Sequence, residues 1–189
     1  MTTITWIRHG ETDWNKEARA QGSRDIPLNE IGLQQAESVA ERLAGEAYDV
    51  IYASDLSRAW VTAGRIAVRL GLPVHPEPRL RERGHGRLEG TTEAERIAQW
   101  GDDWSALDHG VEPVEQLRLR GIAFVEEMRR KHPGGRVLAV THGAYIAVTL
   151  RELMSDANLR VPRNTSVTIL RHAEGLWICD LYNCVRHLE

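Results

Sequence analysis

The sequence predicts an α/β fold, a mixed but largely parallel sheet with helices on both faces. Two observations carry this. Short apolar runs alternate with longer segments whose apolar residues recur at helical spacing. The chain then closes on two extended runs around Glu174-Gly175, the pattern of an antiparallel hairpin, which makes the sheet mixed.

Taken in order, Ile4 to Arg8 is a short buried strand. Asn29 then precedes a helical stripe at Ala36, Val39, Ala40 and Leu43, closed by Gly45. Asp49 to Ala53 is a second strand. Ser54 is placed to cap a helix with its apolar face at Ala63, Ile66, Ala67 and Leu70, ended by Gly71 and Pro73. Leu72 to Pro76 reads as a short edge strand. Residues 81–110 are irregular and glycine-rich, as expected of a functional loop carrying short helices. Leu117, Gly121, Phe124, Val125 and Met128 mark a long helix, stopped by Pro133-Gly134-Gly135. Arg136 to Thr141 is an apolar strand, and Ile146, Leu150, Leu153 and Met154 place a helix after it. Ser166 to Arg171 and Leu176 to Tyr182 form the closing hairpin.

With 189 residues the chain suits one domain, 1–189, in which 81–110 is an active-site loop or lid. Charged residues make up 27% and the formal net charge is -3, so there is no basic footprint for nucleic acid. No apolar stretch is long enough to cross a bilayer, and the N-terminus lacks the pattern of a secretory signal, which points to the cytoplasm. Cys179 and Cys184, if both lie on one extended strand, stand roughly 17 Å apart, too far for a disulfide. Two reduced thiols fit a reducing compartment. Only two of the 24 basic residues are lysines. The plain reading of that excess of arginine is a coding bias; the functional one is that a few of these side chains clamp an oxyanion bidentately.

The chemistry gathers at strand ends. Arg8-His9-Gly10 closes the first strand and Thr141-His142-Gly143 closes the RVLAV strand. Ligand sites in open α/β sheets lie beyond the carboxyl ends of the strands, so two neighbouring parallel strands would bring both His-Gly pairs together. A third strand leads into Ser54-Asp55-Leu56-Ser57-Arg58, with Arg58 in the opening turn of a helix. A lone histidine is ordinarily a satisfied structural residue and a lone arginine a solvated charge. Matched positions at three strand ends point instead to a pocket for a small dianion such as phosphoryl.

The segment Arg8-His9-Gly10-Glu11-Thr12, with Trp14-Asn15, resembles the signature of the histidine phosphatase superfamily in its phosphoglycerate mutase-like branch. The likeness continues through Gln21 to Gly32, Tyr52 to Ala59, Leu80-Arg81-Glu82, Leu88-Glu89-Gly90 and Thr141-His142-Gly143, and ends at Asn183 and His187-Leu188. The resemblance implies a three-layer α/β/α sandwich and a metal-independent, cofactor-free phosphomonoesterase working through a phosphohistidine. Its substrate would be a small-molecule phosphate ester, with no membrane or nucleic-acid partner. Carried over, it makes His9 the nucleophile, and Arg8, Arg58 and His142 the holders of the phosphoryl oxygens. Asn15, Gln21, Gly22 and Gly143 would lie beside them. Glu82 would be the proton donor, with Glu89 competing for that role.

An imidazole attacks phosphorus only through an unprotonated nitrogen, and an alkoxide leaves only with a proton. Free Glu titrates near ~4.3 and free His near ~6.5, so the required pair of protonation states needs help from the site. Arginines 8 and 58 disfavour an imidazolium at His9, and bound phosphate favours a protonated Glu82. A bell-shaped pH profile with an acidic optimum is expected.

Two places depart from the family pattern. Arg83-Gly84-His85-Gly86 stands where bulkier residues are usual, so His85 either contacts substrate or is a neutral replacement. Gly110-Val111-Glu112-Pro113 replaces the usual Gly-Glu-Ser. Trp100 and Trp104 form either an aromatic wall over the substrate or a helical i, i+4 pair on the core.

Three alternatives remain. A cofactor-dependent phosphoglycerate mutase would share the nucleophile, but such mutases carry longer insertions and more basic residues than Arg96, Arg118 and Arg120 supply here. A metallophosphatase would want an HExxH or HxH motif, and neither occurs. An inactive phosphoryl-binding module would keep the fold without turnover. A homodimer through exposed edges or helices stays open.

Overall fold

The computed structural model describes residues 1–155 and 159–189. Six strands form one sheet: β1 (Thr3–Arg8), β2 (Val50–Ala53), β3 (Val74–Pro76), β4 (Arg136–Thr141), β5 (Val167–Ala173) and β6 (Leu176–Cys184). Their spatial order is β3-β2-β4-β1-β5-β6. β3, β2, β4 and β1 pair in parallel, while β5 pairs antiparallel with both β1 and β6. Arg8 lies opposite Thr141, so the two strands preceding His9 and His142 are parallel neighbours in register.

Side chains alternate across the pleat, and this builds two cores. Ile4 and Trp6 of β1 with Val137 and Ala139 of β4 pack on one face against α5 (Val114–Lys131) and α6 (Gly143–Met154). Ile7, Leu138 and Val140 pack on the other against α2 (Glu30–Leu43) and α3 (Ser57–Leu70), α1 (Asp13–Lys16) being a single turn after β1. The result is the three-layer α/β/α sandwich, its central strands covered on both faces as continuous apolar runs require. The hairpin turns through Glu174 and Gly175, both at positive φ. Cys179 and Cys184 lie on β6 and both are free thiols.

Two local expectations need correction. Ser54 does not cap α3, which starts at Ser57 with no side-chain cap from the preceding residue. The Asp25 carboxylate takes the Ser57 N–H and hydroxyl instead, each at 2.7 Å. Ser54 is fully buried at the strand end, where its hydroxyl meets His142. Nor do Trp100 and Trp104 share a helix. α4 (Glu93–Trp100) stops at Gly101, whose φ of 83° ends the helix, and Trp104 opens a separate 3₁₀ turn. The two indoles lie instead against His109, with ring centroids 4.7 and 6.3 Å away.

Among the described residues no helix is long and apolar enough to cross a membrane. Also among them, no group of three or more His, Cys, Asp and Glu is arranged to hold a metal ion.

Candidate active site

The ends of β1, β2 and β4 meet at one sheet edge. The His9 N–H donates to the Thr141 carbonyl at 2.9 Å, and the Ser54 N–H to that of Val140 at 3.0 Å. The His9 and His142 rings lie 5.1 Å apart, centroid to centroid. Both are buried, as is Arg58 in the first turn of α3.

His9 Nδ1 lies 2.7 Å from the Gly10 carbonyl oxygen. A carbonyl only accepts, so Nδ1 carries the hydrogen, and in the neutral ring Nε2 keeps its lone pair. Burial first, then Arg58 and Arg8, hold the His9 pKa well below the usual imidazole range. The ring is therefore neutral in mildly acidic water. Burial first, then Arg58, His9, Arg8 and Arg120, depress His142 likewise.

Arg58 is fastened at every nitrogen. Nη1 donates to the Arg24 carbonyl at 2.7 Å, Nη2 to that of Gly22 at 2.9 Å, and Nε to His142 Nδ1 at 3.3 Å. His142 Nε2 then pairs with Ser54 Oγ at 2.8 Å. Burial pushes the Arg58 guanidinium down to about 10. Arg8 donates from Nη1 to the Pro162 carbonyl at 2.7 Å, while its Nε is buried without a partner. Gly143 makes room for it, since a Cβ there would stand 3.2 Å from Arg8 Nε and 2.6 Å from Val161. Gly22 is equally constrained: its φ is 55°, and a Cβ would meet Glu89 Oε1 at 2.1 Å.

The two competing carboxylates have different surroundings. Glu82 sits at the N-terminus of α6, where Oε2 accepts from Ala144 N and Oε1 from Tyr145 N, both at 3.1 Å. Helix N-termini attract anions through these free N–H groups. The Arg83 N–H adds a third bond at 2.9 Å. Glu89 Oε1 accepts instead from Ser23 N at 2.7 Å and His85 N at 3.0 Å, tying the 21–24 turn to the 81–90 segment. His85 is half-buried, and burial lowers its pKa, with Glu82 and Glu89 acting in the opposite direction. Gln21 is buried with an unpartnered Oε1. Asn15 Oδ1 accepts from the Thr12 N–H and from Asn164 Nδ2, both at 3.2 Å.

The segment before β5 is the part of the site that sequence reading missed. Asn164 Nδ2 donates to the His9 carbonyl at 3.0 Å, and Thr165 N donates to those of Arg8 and His9 at 3.0 and 3.3 Å. Thr165 holds φ at 50°, a strained value for a β-branched residue. The His187 ring links to its hydroxyl at 3.2 Å. A signal was present: in a hairpin antiparallel to the first strand, the start of β5 must fall at the edge where β1 ends. Thr62 was missed as well, accepting from Gly10 N at 3.1 Å and donating to the Arg58 carbonyl at 2.7 Å.

A family profile for the histidine phosphatase superfamily (branch 1) matches residues 4–185. The chain belongs to that superfamily. It is 36% identical over 200 residues to a metal-independent phosphoserine phosphatase of Arabidopsis thaliana, covering 100% of this chain and 84% of the relative. It is 34% identical over 197 residues to a probable phosphoglycerate mutase of Yersinia pestis (strain Pestoides F), covering 95% and 89%. Among solved structures, a mycobacterial glucosyl-3-phosphoglycerate phosphatase complexed with VO3 superposes with a TM-score of 0.89 at 31% identity, covering 97% of this chain and 99% of that one. This histidine phosphatase is a phosphoric monoester hydrolase.

The depressed histidines set a pH expectation. An unfolded histidine titrates near ~6.5. The folded values lie lower: well below the usual range for His9 and His142, and about 4 for His187, chiefly through burial. The unfolded chain therefore binds more protons below ~6.5, and stability falls as pH drops through that value. Each of the two fully buried rings contributes up to ~1.4 kcal/mol per pH unit. Denaturation midpoints should fall between pH 7 and pH 5, and the acid limb of kcat/KM should lie below ~6.5. A limb centred on that value would mean an ordinary, solvated His9.

Proposed function

We propose that this enzyme hydrolyses small phosphomonoesters in two steps through a phosphohistidine at His9. The observation that carries this is the Nδ1 contact to Gly10, which leaves Nε2 as a buried nucleophile beside two arginines. Nε2 attacks phosphorus, the ester P–O bond breaks, and Glu82 protonates the departing oxygen. Glu82, now a carboxylate, takes a proton from the attacking water, and the P–N bond breaks to restore the imidazole. Arg8, Arg58 and His142 hold the charge of the phosphoryl oxygens, a pre-set arrangement that is commonly the largest catalytic contribution. In this reading Asn15, Gln21, Gly22 and Gly143 bind beside the phosphoryl group, and His85, half-buried in the 81–110 segment, contacts substrate.

Glu82 is favoured over Glu89 as donor because it sits beside His142 at the head of α6, whereas Glu89 is engaged in holding the 21–24 turn. Hydrolysis is favoured over mutase chemistry because the arginines that would take a substrate carboxylate are occupied. Arg96 donates to Thr91 and lies over Trp104, Arg118 pairs with Glu115 and Glu152, and Arg120 pairs with Glu112. The two free thiols suit a cytoplasmic enzyme.

The test is a panel headed by phosphoserine, 3-phosphoglycerate and p-nitrophenyl phosphate, assayed for inorganic phosphate with and without chelator. Phosphate release that ignores the chelator is expected. Conversion of 3-phosphoglycerate to 2-phosphoglycerate would favour the mutase. Tight phosphate binding without turnover of any ester would favour a binding module.

A further inference from the structure

Glu82 lies outside any helix or strand, yet a proton donor must stay within about 2.6–3.2 Å of the oxygen it serves. The N-terminus of α6 holds its carboxylate. A different device holds its backbone. From α5, Arg120 reaches across and donates from Nη1 to the carbonyls of Arg79 and Arg81, and from Nη2 to that of Glu82 at 3.0 Å.

Glu112 completes the device. Its Oε1 accepts from Arg120 Nε at 2.9 Å, and its Oε2 from Arg120 Nη2 and from Gly84 N, both at 3.0 Å. Its backbone also bonds this segment, donating to the Gly84 carbonyl and accepting from Arg83 Nε, both at 2.8 Å. The pair thus grips the chain on both sides of Glu82. The two side chains are only 19% and 18% exposed, so solvent screens them little. The Arg120 guanidinium lies 5.3 Å from the Tyr145 ring centroid, and Tyr145 N is one of the donors to the Glu82 carboxylate.

We propose that Arg120 and Glu112 are positioning residues for Glu82 that touch no substrate themselves and fix where the proton donor stands relative to the leaving oxygen. This rests on the reading of Glu82 as the donor. A guanidinium is suited to the task because its planar fork serves three carbonyls and a carboxylate at once, which an ammonium does not. The consequence is specific. Alkoxides need the proton and dinitrophenolate does not, so a loosened Glu82 slows esters of poor leaving groups selectively.

The experiment compares kcat/KM, which reports the steps through phosphoryl transfer to His9, across an alkyl phosphate, phenyl phosphate, p-nitrophenyl phosphate and 2,4-dinitrophenyl phosphate. E82Q serves as the reference, expected to lose about 10²-fold on the alkyl ester and only a few-fold on the dinitrophenyl ester. R120Q and E112Q should show the same selective loss, about tenfold to 10²-fold, with R120K recovering part of it. If R120Q does not accumulate as folded protein, R120K and E112Q are judged by the same criterion. If E82Q is selective while the Arg120 and Glu112 variants lose activity equally on all esters, or not at all, the positioning role is overturned and the donor assignment stands. If E82Q shows no selectivity, the donor assignment falls and takes the positioning role with it.

Discussion

Replacing His9 with alanine is expected to abolish turnover, with a loss on the order of 10⁵ or more in kcat, the scale seen when a covalent nucleophile is removed. The fold should survive the change. His9 is buried, but among the described residues its side chain makes one hydrogen bond, to the carbonyl of its own neighbour Gly10, and no ion pair. Its neutral ring leaves no stranded charge behind. Wild-type enzyme quenched in alkali during turnover should carry a phosphoryl group that is stable to base and labile to acid, and the alanine variant should carry none. Substrate should still bind, because Arg8 and Arg58 remain. A variant that turns over at a tenth of the wild-type rate, or a phosphoryl group found on another residue, would remove the basis of the mechanism.

Arg58 should show activity and stability moving apart. Arg58→Met is expected to lower kcat/KM by about 10³, the upper end for loss of one fixed charge donor. Its stability change is set by two opposing effects. The guanidinium is wholly buried and its pKa is pushed down to about 10, so below that pH the fold carries the full penalty of keeping it charged, about 3 kcal/mol. The sign follows from the unfolded chain, which holds this proton more tightly, so the penalty is relieved only as pH rises above about 10. Methionine removes the penalty but strands the carbonyls of Gly22 and Arg24 and the Nδ1 of His142. Each stranded group costs about 1–3 kcal/mol. The three together cost about 3–9 kcal/mol, so denaturant unfolding should show a net loss between nothing and about 6 kcal/mol, while kcat/KM falls about 10³-fold. Retained activity would show that Arg58 is structural. A much larger loss of stability would show that its charge is compensated better than its depressed pKa indicates.

The layered sheet was legible because apolar periodicity is local. The runs at 4–8, 49–53 and 136–141 are each a few residues long, and each appears as a strand within a residue or so. His9, His142 and Arg58 were legible because each stands just after such a run, and parallel strands end at one edge. Ser54 was misplaced because the competition for its hydroxyl is not local: His142 outbids the helix N–H groups, and Asp25, thirty-two residues upstream of Ser57, caps the helix instead. Trp100 and Trp104 were misplaced because i, i+4 spacing makes a helical face only if the helix continues, and Gly101 ends it.

The order of strands and helices, the identity of the charged and nucleophilic side chains, and their positions at strand ends are all written in neighbouring residues, where hydrophobic period and chain breakers act over one or two turns. The seat of Glu82 at the head of α6 and of Glu89 against the 21–24 turn, the support from Asn164 and Thr165 and the grip of Arg120 on the 79–84 segment depend on hydrogen bonds between residues up to 157 positions apart. Such bonds form only when separate elements are packed together, and they leave no periodic trace along the chain.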